Sequence, residues 1–249
     1  MQGTWSTKAE VLDARRSTLG EEVARQVVER IGELGLQAGD ELPSEGELAG
    51  VFGVNRLVVR EALRILAARE MVVSRQGKQA RVSIPSSQVI GELLKFRIRQ
   101  RSFTIEELLD TREVLEEALV EAAAVRVSNG LADTAEAASI AEKMEREVAD
   151  ASRFIDMDVD FHRALAVLAN NDVLLLLLDS LHDVLLRVRR ASYDGRLERG
   201  DTHDPTVQEH RAILRAVKRG DPKGAKAAMN AHLADTRADL DAIRSEVLG

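Results

Sequence analysis

The sequence has no cysteine. That excludes a disulfide scaffold and any thiolate-held metal, and it suits a cytoplasmic protein without demanding one. Proline occurs only four times against 45% hydrophobic residues, which points to a compact, mostly helical chain. Long apolar runs are missing too. The longest, Val173 to Leu178, is followed by Asp179, His182 and Asp183, well short of the ~18 apolar residues of a membrane span. No charged start with an apolar core marks a signal peptide, and residues 1–16 read as a loose polar arm. Nor is there an excess of positive charge: the net charge is -7 over 249 residues, which argues against a protein that coats nucleic acid indiscriminately. The length suits two domains.

What is present starts with PSEGELAGVFGVNRLVVREALRIL, Pro43 to Leu66. Ser44 can cap a helix while Glu47 reaches back to the cap, a capping box, and Leu48, Ala49 and Phe52 give that helix a buried side. Gly53 supplies a turn and Asn55 a second cap. Behind Asn55, Val59, Ala62, Leu63 and Leu66 fall at i, i+3, i+4 and i+7 and must pack inward, while Arg56, Arg60 and Arg64 line an exposed face. This is the pattern of a helix-turn-helix whose second helix enters the DNA major groove, where arginine meets guanine edges or phosphate.

Two β-prone runs follow, 71–74 and 80–84, joined by Arg75-Gln76-Gly77-Lys78-Gln79 with Gly77 as the turn residue. They predict a wing with a basic tip. A helix over 19–34, with Leu19, Val23, Val27, Ile31 and Leu34 on one face, would close the small core. Charge is distributed accordingly. Residues 56–81 hold seven basic groups against two acidic ones, whereas residues 85–249 hold 23 basic and 30 acidic groups and carry the whole negative balance. The positive surface is confined to where a DNA reader needs it. The alternative is a three-helix packing unit with a solvated arginine face, which requires capping, turn, charge and hairpin signals to coincide by chance.

A boundary is expected at Pro85-Ser86-Ser87, giving a DNA-binding domain over 17–84 and an all-α bundle over 85–249. Helices are predicted at 88–100, 105–127, 131–149, 152–169, 172–191, 205–219 and 222–245, the last two opened by Asp204-Pro205 and Asp221-Pro222. The stretch Val173 to Leu186, apolar on nearly all sides, would be a central helix or a buried dimer face.

The bundle also directs polar chemistry inward. Asp158 and His162 share the apolar face of Phe154, Ile155, Phe161, Leu165 and Leu168; His210 joins Ile213, Leu214 and Val217; His232 joins Ala225, Met229, Leu233 and Thr236. Any one of these histidines, taken alone, is ordinarily a hydrogen-bonded core residue. Asp158 changes the balance, because a buried carboxylate is costly unless a cation or several donors satisfy it. Asp158, His162, His210 and His232 form an N3O set suited to a divalent ion, zinc first, nickel or manganese next. His182 and His203 are less well placed. The Asp156, Asp158, Asp160 alternation is no calcium loop, since Phe161 and Val167 stand where that loop needs glycine and glutamate. Arg112 interrupts the stripe Ile105, Leu108, Leu115, Leu119, Ala122. Either it forms an internal salt bridge with Glu113 or Glu116 of a neighbouring element, or it projects into a cavity to clamp a carboxylate.

LPSEGELAGVFGVNRLVVREAL (Leu42–Leu63), TREVLEEAL (Thr111–Leu119), DVDFHRALAVLANN (Asp158–Asn171), QEHRAILRAVKRGD (Gln208–Asp221) and AHL (Ala231–Leu233) occur in the order found in the FadR-like branch of GntR-type transcription regulators, which the chain resembles over about residues 17–240. The resemblance implies a dimeric, metabolite-responsive regulator, most simply a repressor, on a palindromic duplex operator. It carries an FCD effector domain and is nucleoid-associated when bound. It implies a DNA-facing set of Ser44, Asn55, Arg56, Leu57, Arg60, Arg64, Gln76, Gly77 and Lys78. Asp158, His162, His210 and His232 would hold the metal, and Arg112 and Asn171 would meet a small organic acid. The chain departs from the pattern at Gly46, where an arginine is usual, at Leu57-Val58, and at Gln79-Ala80 of the wing. A rival class is a metal-dependent enzyme fused to a DNA-binding module; no His-Glu-x-x-His motif supports it and no dedicated base stands beside the ligands. A DNA-binding protein with no effector is the third possibility.

Overall fold

The computed structural model describes residues 18–74, 78–148, 150–198, 200 and 202–242. Among these are ten α-helices and one two-stranded sheet, and the chain divides into two compact units, Met1–Val89 and Ile90–Gly249. The polar arm at 1–16 and the wing-tip residues Arg75, Gln76 and Gly77 lie outside the described residues.

The first unit contains α1 (Leu19–Glu33), α2 (Glu45–Phe52), α3 (Arg56–Ala68), β1 (Val72–Val73) and β2 (Arg81–Val82). Thr18 and Ser44 each close a capping box, with Glu21 and Glu47 respectively. Asn55 Oδ1 accepts from Val58 N at 3.0 Å to start α3. Between α2 and α3, Gly53 takes φ 65°, a left-handed conformation that glycine adopts at little steric cost. Val59, Ala62, Leu63 and Leu66 of α3 are all buried, against Val23, Val27, Leu48 and Phe52. Leu19 departs from its expected inward face and is 42% exposed. The contact with α3 is made by Gly20 instead, where an added Cβ would stand 2.9 Å from Glu61 Cγ.

The wing strands are shorter than the runs that predict them. Ser83 N still donates to Met71 O at 2.9 Å, but Val73, Ser74 and Ile84 face solvent, so packing does not hold the ladder further. On its other edge β2 is paired with the segment that leads into α2. Leu42 N donates to Ala80 O at 2.8 Å, Val82 N to Asp40 O at 2.9 Å and Gly39 N to Val82 O at 2.8 Å.

The second unit is an all-α bundle of α4 (Ser87–Arg99), α5 (Ile105–Ser128), α6 (Ala135–Arg146), α7 (Ala151–Leu168), α8 (Asp172–Glu198), α9 (Asp204–Lys218) and α10 (Pro222–Ala242). Helix α10 packs on α5, α8 and α9, and α7 packs on α5, α6 and α8. The main core joins Met144, Phe161, Leu165, Ile213 and Met229. Helix α6 is shorter at both ends than expected, since Asp133 Oδ1 caps Ala135 N at 3.1 Å and Asp150 Oδ1 opens α7 at Arg153 N at 3.1 Å. Helix α8 instead runs seven residues past the expected 191, to Glu198. Its extension is pinned by the Tyr193 hydroxyl donating to Val148 O at 3.0 Å and by Arg196 Nη2 lying 2.8 Å from Asp239 Oδ2. The apolar run in α8 is not buried all round: Leu178, Leu181 and Leu185 face inward, whereas Val173, Leu176 and Leu177 are exposed.

Candidate metal centre and DNA-facing surface

Successive turns of α7 supply Asp158 and His162, while α9 supplies His210 and α10 supplies His232. One ligand-capable atom from each lies within 4.8 Å of all the others. His162 Nε2 is 3.2 Å and His210 Nε2 3.3 Å from His232 Nε2. Asp158 Oδ1 stands 3.3 Å from His210 Nε2 and 3.7 Å from His162 Nε2. All three imidazoles are buried, and Phe161 stacks on His210 with ring centroids 4.5 Å apart.

Two of the rings are held from behind. His162 Nδ1 meets Glu116 Oε2, and His232 Nδ1 meets Glu209 Oε2 at 2.7 Å. With the proton of each ring on the Nδ1 that faces a carboxylate, both Nε2 atoms are bare acceptors aimed at each other across 3.2 Å. Facing lone pairs repel at that distance, and a cation between them converts the repulsion into coordination. A tetrahedron with Zn–N arms of about 2.0–2.1 Å has edges of about 3.3 Å, which matches the two Nε2 separations. The residues fit a divalent ion.

Electrostatics agree with that fit. Burial disfavours the charged imidazole, and it is the main cause of the lowered pKa of His210 and the strongly lowered pKa of His232. Burial pushes Asp158 the other way, but the hydrogen bond from His210 and the charges of His162 and Arg189 outweigh it, holding its pKa well below the usual carboxylate value. For Glu116, burial is likewise overcome by Arg112 and His162, so its pKa is lowered. Neutral His210 and His232 beside ionised Asp158 approach the protonation state that metal ligation needs. Glu209 differs: burial, against the opposing charge of Arg196, pushes it up to about 8.

A cavity of about 40 Å3 lies against this cluster, lined by Arg112, Asp158, Arg189, Tyr193, Arg196 and His203 among others. Arg112 is 2% exposed. It forms the internal salt bridge expected of it, Nε donating to Glu116 Oε1 at 2.5 Å, while Nη2 is buried with no hydrogen-bond partner among the described residues. The partner, however, lies one turn on in the same helix rather than on a neighbouring element. Arg189 Nε is 3.3 Å from Asp158 Oδ2, and burial, then the like charge of Arg112, brings its pKa down to about 10. Arg196 is neutralised by Asp239 and donates to Thr206 Oγ1 at 2.9 Å.

Two site expectations are corrected. Asn171 is exposed and caps α8, its Oδ1 accepting from Leu174 N at 3.1 Å, so it lines neither this cavity nor the smaller one beside His182. His203, set aside on sequence, is 4% exposed and stacks on Tyr193 at 3.7 Å and 10° in the cavity wall. Arg189, Ser192 and Arg196 also line the cavity. Their signal was available, since they continue the inward stripe of Leu178, Leu181 and Leu185 at helical spacing.

On the first unit, Arg56, Arg60 and Arg64 stand on the exposed face of α3, and Leu57 beside them is 72% exposed. Arg60 is gripped by Glu45 and Arg64 pairs with Glu61 at 2.9 Å. Arg56 lies over Gly46, where a Cβ would come within 3.0 Å of its Nη2. Ser44 and Asn55 hold helix caps, and Lys78 is exposed at the edge of the wing tip. Among the described residues no helix is long and apolar enough to cross a membrane.

A winged helix-turn-helix with a basic second helix, followed by a helical bundle with an inward-facing Asp/His cluster, is the architecture of a DNA-binding regulator with a separate helical domain. Residues 19–82 match the bacterial regulatory proteins of the gntR family, and residues 107–235 match the FCD domain. The chain belongs to the GntR family of transcriptional regulators, in its FCD-containing branch. It is 31% identical over 226 residues to the HTH-type transcriptional repressor NanR of Enterobacter sp. (strain 638), covering 88% of this chain and 84% of that protein. Against the NanR repressor of Escherichia coli (strain K12) it is 33% identical over 221 residues, covering 88% and 82% respectively. The solved structure of Streptococcus agalactiae GntR superimposes with a TM-score of 0.65 at 26% identity, over 88% of this chain and 99% of that one. With relatives that are transcriptional repressors, the chain is a regulator and not an enzyme.

Proposed function

We propose that the protein is a repressor that binds a palindromic operator as a homodimer and responds to a small carboxylate held in a metal-containing pocket of its helical domain. The observation that carries this reading is the convergence of three imidazole Nε2 atoms and Asp158 Oδ1 within 4.8 Å, two of the rings oriented by buried or half-buried carboxylates. Asp158, His162, His210 and His232 would hold the ion, zinc first, with nickel or manganese as alternatives. When bound, it supplies a Lewis-acidic anchor for an anion.

Charge selects the effector class. With neutral imidazoles, Arg112 and Arg189 balance Glu116 and Asp158, and Arg196 balances Asp239. A divalent ion therefore leaves two uncompensated positive charges in a largely water-free interior, which an organic anion offsets. At about 40 Å3 the cavity holds only a few waters, so an effector of several heavy atoms must displace Tyr193, His203 or the arginines. Such a rearrangement is how a ligand comes to prefer one state of the protein over another. On the DNA side, Arg56, Arg60 and Arg64 reach the major groove, helped by Ser44, Asn55 and Leu57, while Gln76, Gly77 and Lys78 of the wing reach the neighbouring groove.

Protein purified without a histidine tag tests the proposal. Elemental analysis should find about one divalent ion per chain, and a carboxylate that raises the melting temperature should change affinity for an operator selected from a random duplex pool. Protein free of metal, or an operator affinity unmoved by every stabilising carboxylate, would overturn it.

A further inference from the structure

We infer that Glu116 is a positioning residue that ties Arg112, in the wall of the cavity, to His162, a candidate metal ligand, so that the two groups act as one unit. The inference rests on the reading of the Asp/His cluster as a metal site and deepens it. Its basis is a continuous buried relay: Arg112 Nε donates to Glu116 Oε1 at 2.5 Å, and the second oxygen, Oε2, receives His162 Nδ1. Both carboxylate oxygens are thus used, and the side chains of Arg112, Glu116 and His162 are at most 3% exposed, so no solvent competes.

The three imidazoles are not held alike. His232 is backed by the half-buried Glu209, and His210 Nδ1 has no hydrogen-bond partner among the described residues. Among the described residues only His162 is backed by a carboxylate that also holds a cavity-lining arginine, and Nη2 of that arginine is buried without a hydrogen-bond partner there. A carboxylate behind a ligating histidine fixes its tautomer and aim and raises its basicity. Anything that draws Arg112 toward an anion weakens its hold on Glu116 and leaves more carboxylate charge for His162. Occupancy of the cavity and affinity for the ion are therefore linked, in both directions.

The test uses the full-length protein and the metal alone. Zinc affinity is measured by competition with a chromophoric chelator for the wild type, Glu116→Gln, Arg112→Met, and the double variant Arg112→Met/Glu116→Leu, which removes both buried charges together and should keep the fold. Glu116→Gln is expected to bind zinc roughly 10- to 100-fold more weakly. Arg112→Met, which touches no ligand directly, should also shift the affinity. In the double variant that Arg112 effect should vanish, leaving only the loss due to Glu116. The cobalt-substituted protein should show a changed visible spectrum in Glu116→Gln, a signature that mere destabilisation would not give. A wild type that binds no zinc refutes the metal site itself. A wild type that binds zinc, with a Glu116→Gln or a folded double variant that binds it equally tightly, overturns this inference alone.

Discussion

Arg60 of α3 is gripped by both oxygens of Glu45 at the start of α2: Nε lies 3.2 Å from Oε1 and Nη2 2.8 Å from Oε2. An arginine on the exposed face of α3 is thus already engaged, and on the proposed reading operator phosphates or guanines would have to displace an internal carboxylate. Arg60→Ala should weaken operator binding roughly tenfold or more in fluorescence anisotropy without changing metal content. Glu45→Gln should strengthen it by removing the competitor. Wild-type affinity in Arg60→Ala would take Arg60 out of the interface.

Gly46 makes room for Arg56. Alanine there favours the helix by up to about 1 kcal/mol, yet its Cβ would sit 3.0 Å from Arg56 Nη2 and push the guanidinium aside. Gly46→Ala should therefore melt at a higher temperature and bind its operator less tightly, a split that calorimetry and anisotropy measure separately. Equal or better operator binding would mean that the position of Arg56 over Gly46 does not matter for recognition.

The lowered pKa values of His210 and His232 set the direction of the acid response. Below the unfolded value of 6.5 the unfolded chain takes up protons that the folded rings refuse, so their contribution is fully present above pH 6.5 and is lost as pH falls toward the folded values. Glu209, raised from 4.5 to about 8, acts oppositely: its contribution is full below pH 4.5 and is lost as pH rises to about 8. Denaturant titrations of the metal-free protein at pH 7 and 5.5 should show His210→Gln narrowing the loss at acid pH, while Glu209→Gln flattens the slope between pH 5 and 8. Unchanged pH profiles in both would contradict these assignments.

Arg196 and Asp239 are both largely buried and pair at 2.8 Å. Arg196→Met removes the countercharge of Asp239, to which the Ser192 hydroxyl still donates at 3.3 Å, and should cost about 3–5 kcal/mol, read from chemical denaturation. Changing Asp239→Leu as well should return much of that. If the double variant is no more stable than the single one, the pair does not act as a unit.

Metal removal offers a further check. A ligand at 100 times its Kd stabilises the state it binds by about 2.7 kcal/mol, so chelation should lower the melting temperature and added zinc should restore it. No shift on chelation of a metal-loaded sample would place the ion elsewhere.

The helix-turn-helix was legible because its signals are local: Ser44, Glu47, Gly53 and Asn55 act within a few residues, and the structure uses each as a cap or turn. Asp158 and His162 were legible as polar residues on a greasy face one turn apart. His210 and His232 followed by the same rule on separate helices, and the bundle's topology brings them together. Arg189 and Arg196 were missed because the run from Val173 looks apolar on every side, which hides the polar continuation of its inward stripe. His203 lies just before α9 in a stretch with no period to read, so only tertiary packing on Tyr193 reveals it. The end of α8 was also misplaced, because the contacts of Tyr193 and Arg196 with residues distant in sequence carry the helix past 191.

The lacing of β2 to residues 39–42 has one more consequence. The base of the wing is bonded on both edges, through Met71 and Ser83 on one side and Asp40, Leu42 and Gly39 on the other. Every one of these bonds runs from backbone to backbone, so side-chain exchanges at residues 39–42 and 80–83 leave the ladder beside α3 with every bond in place, and sequence can vary there while the frame stays put.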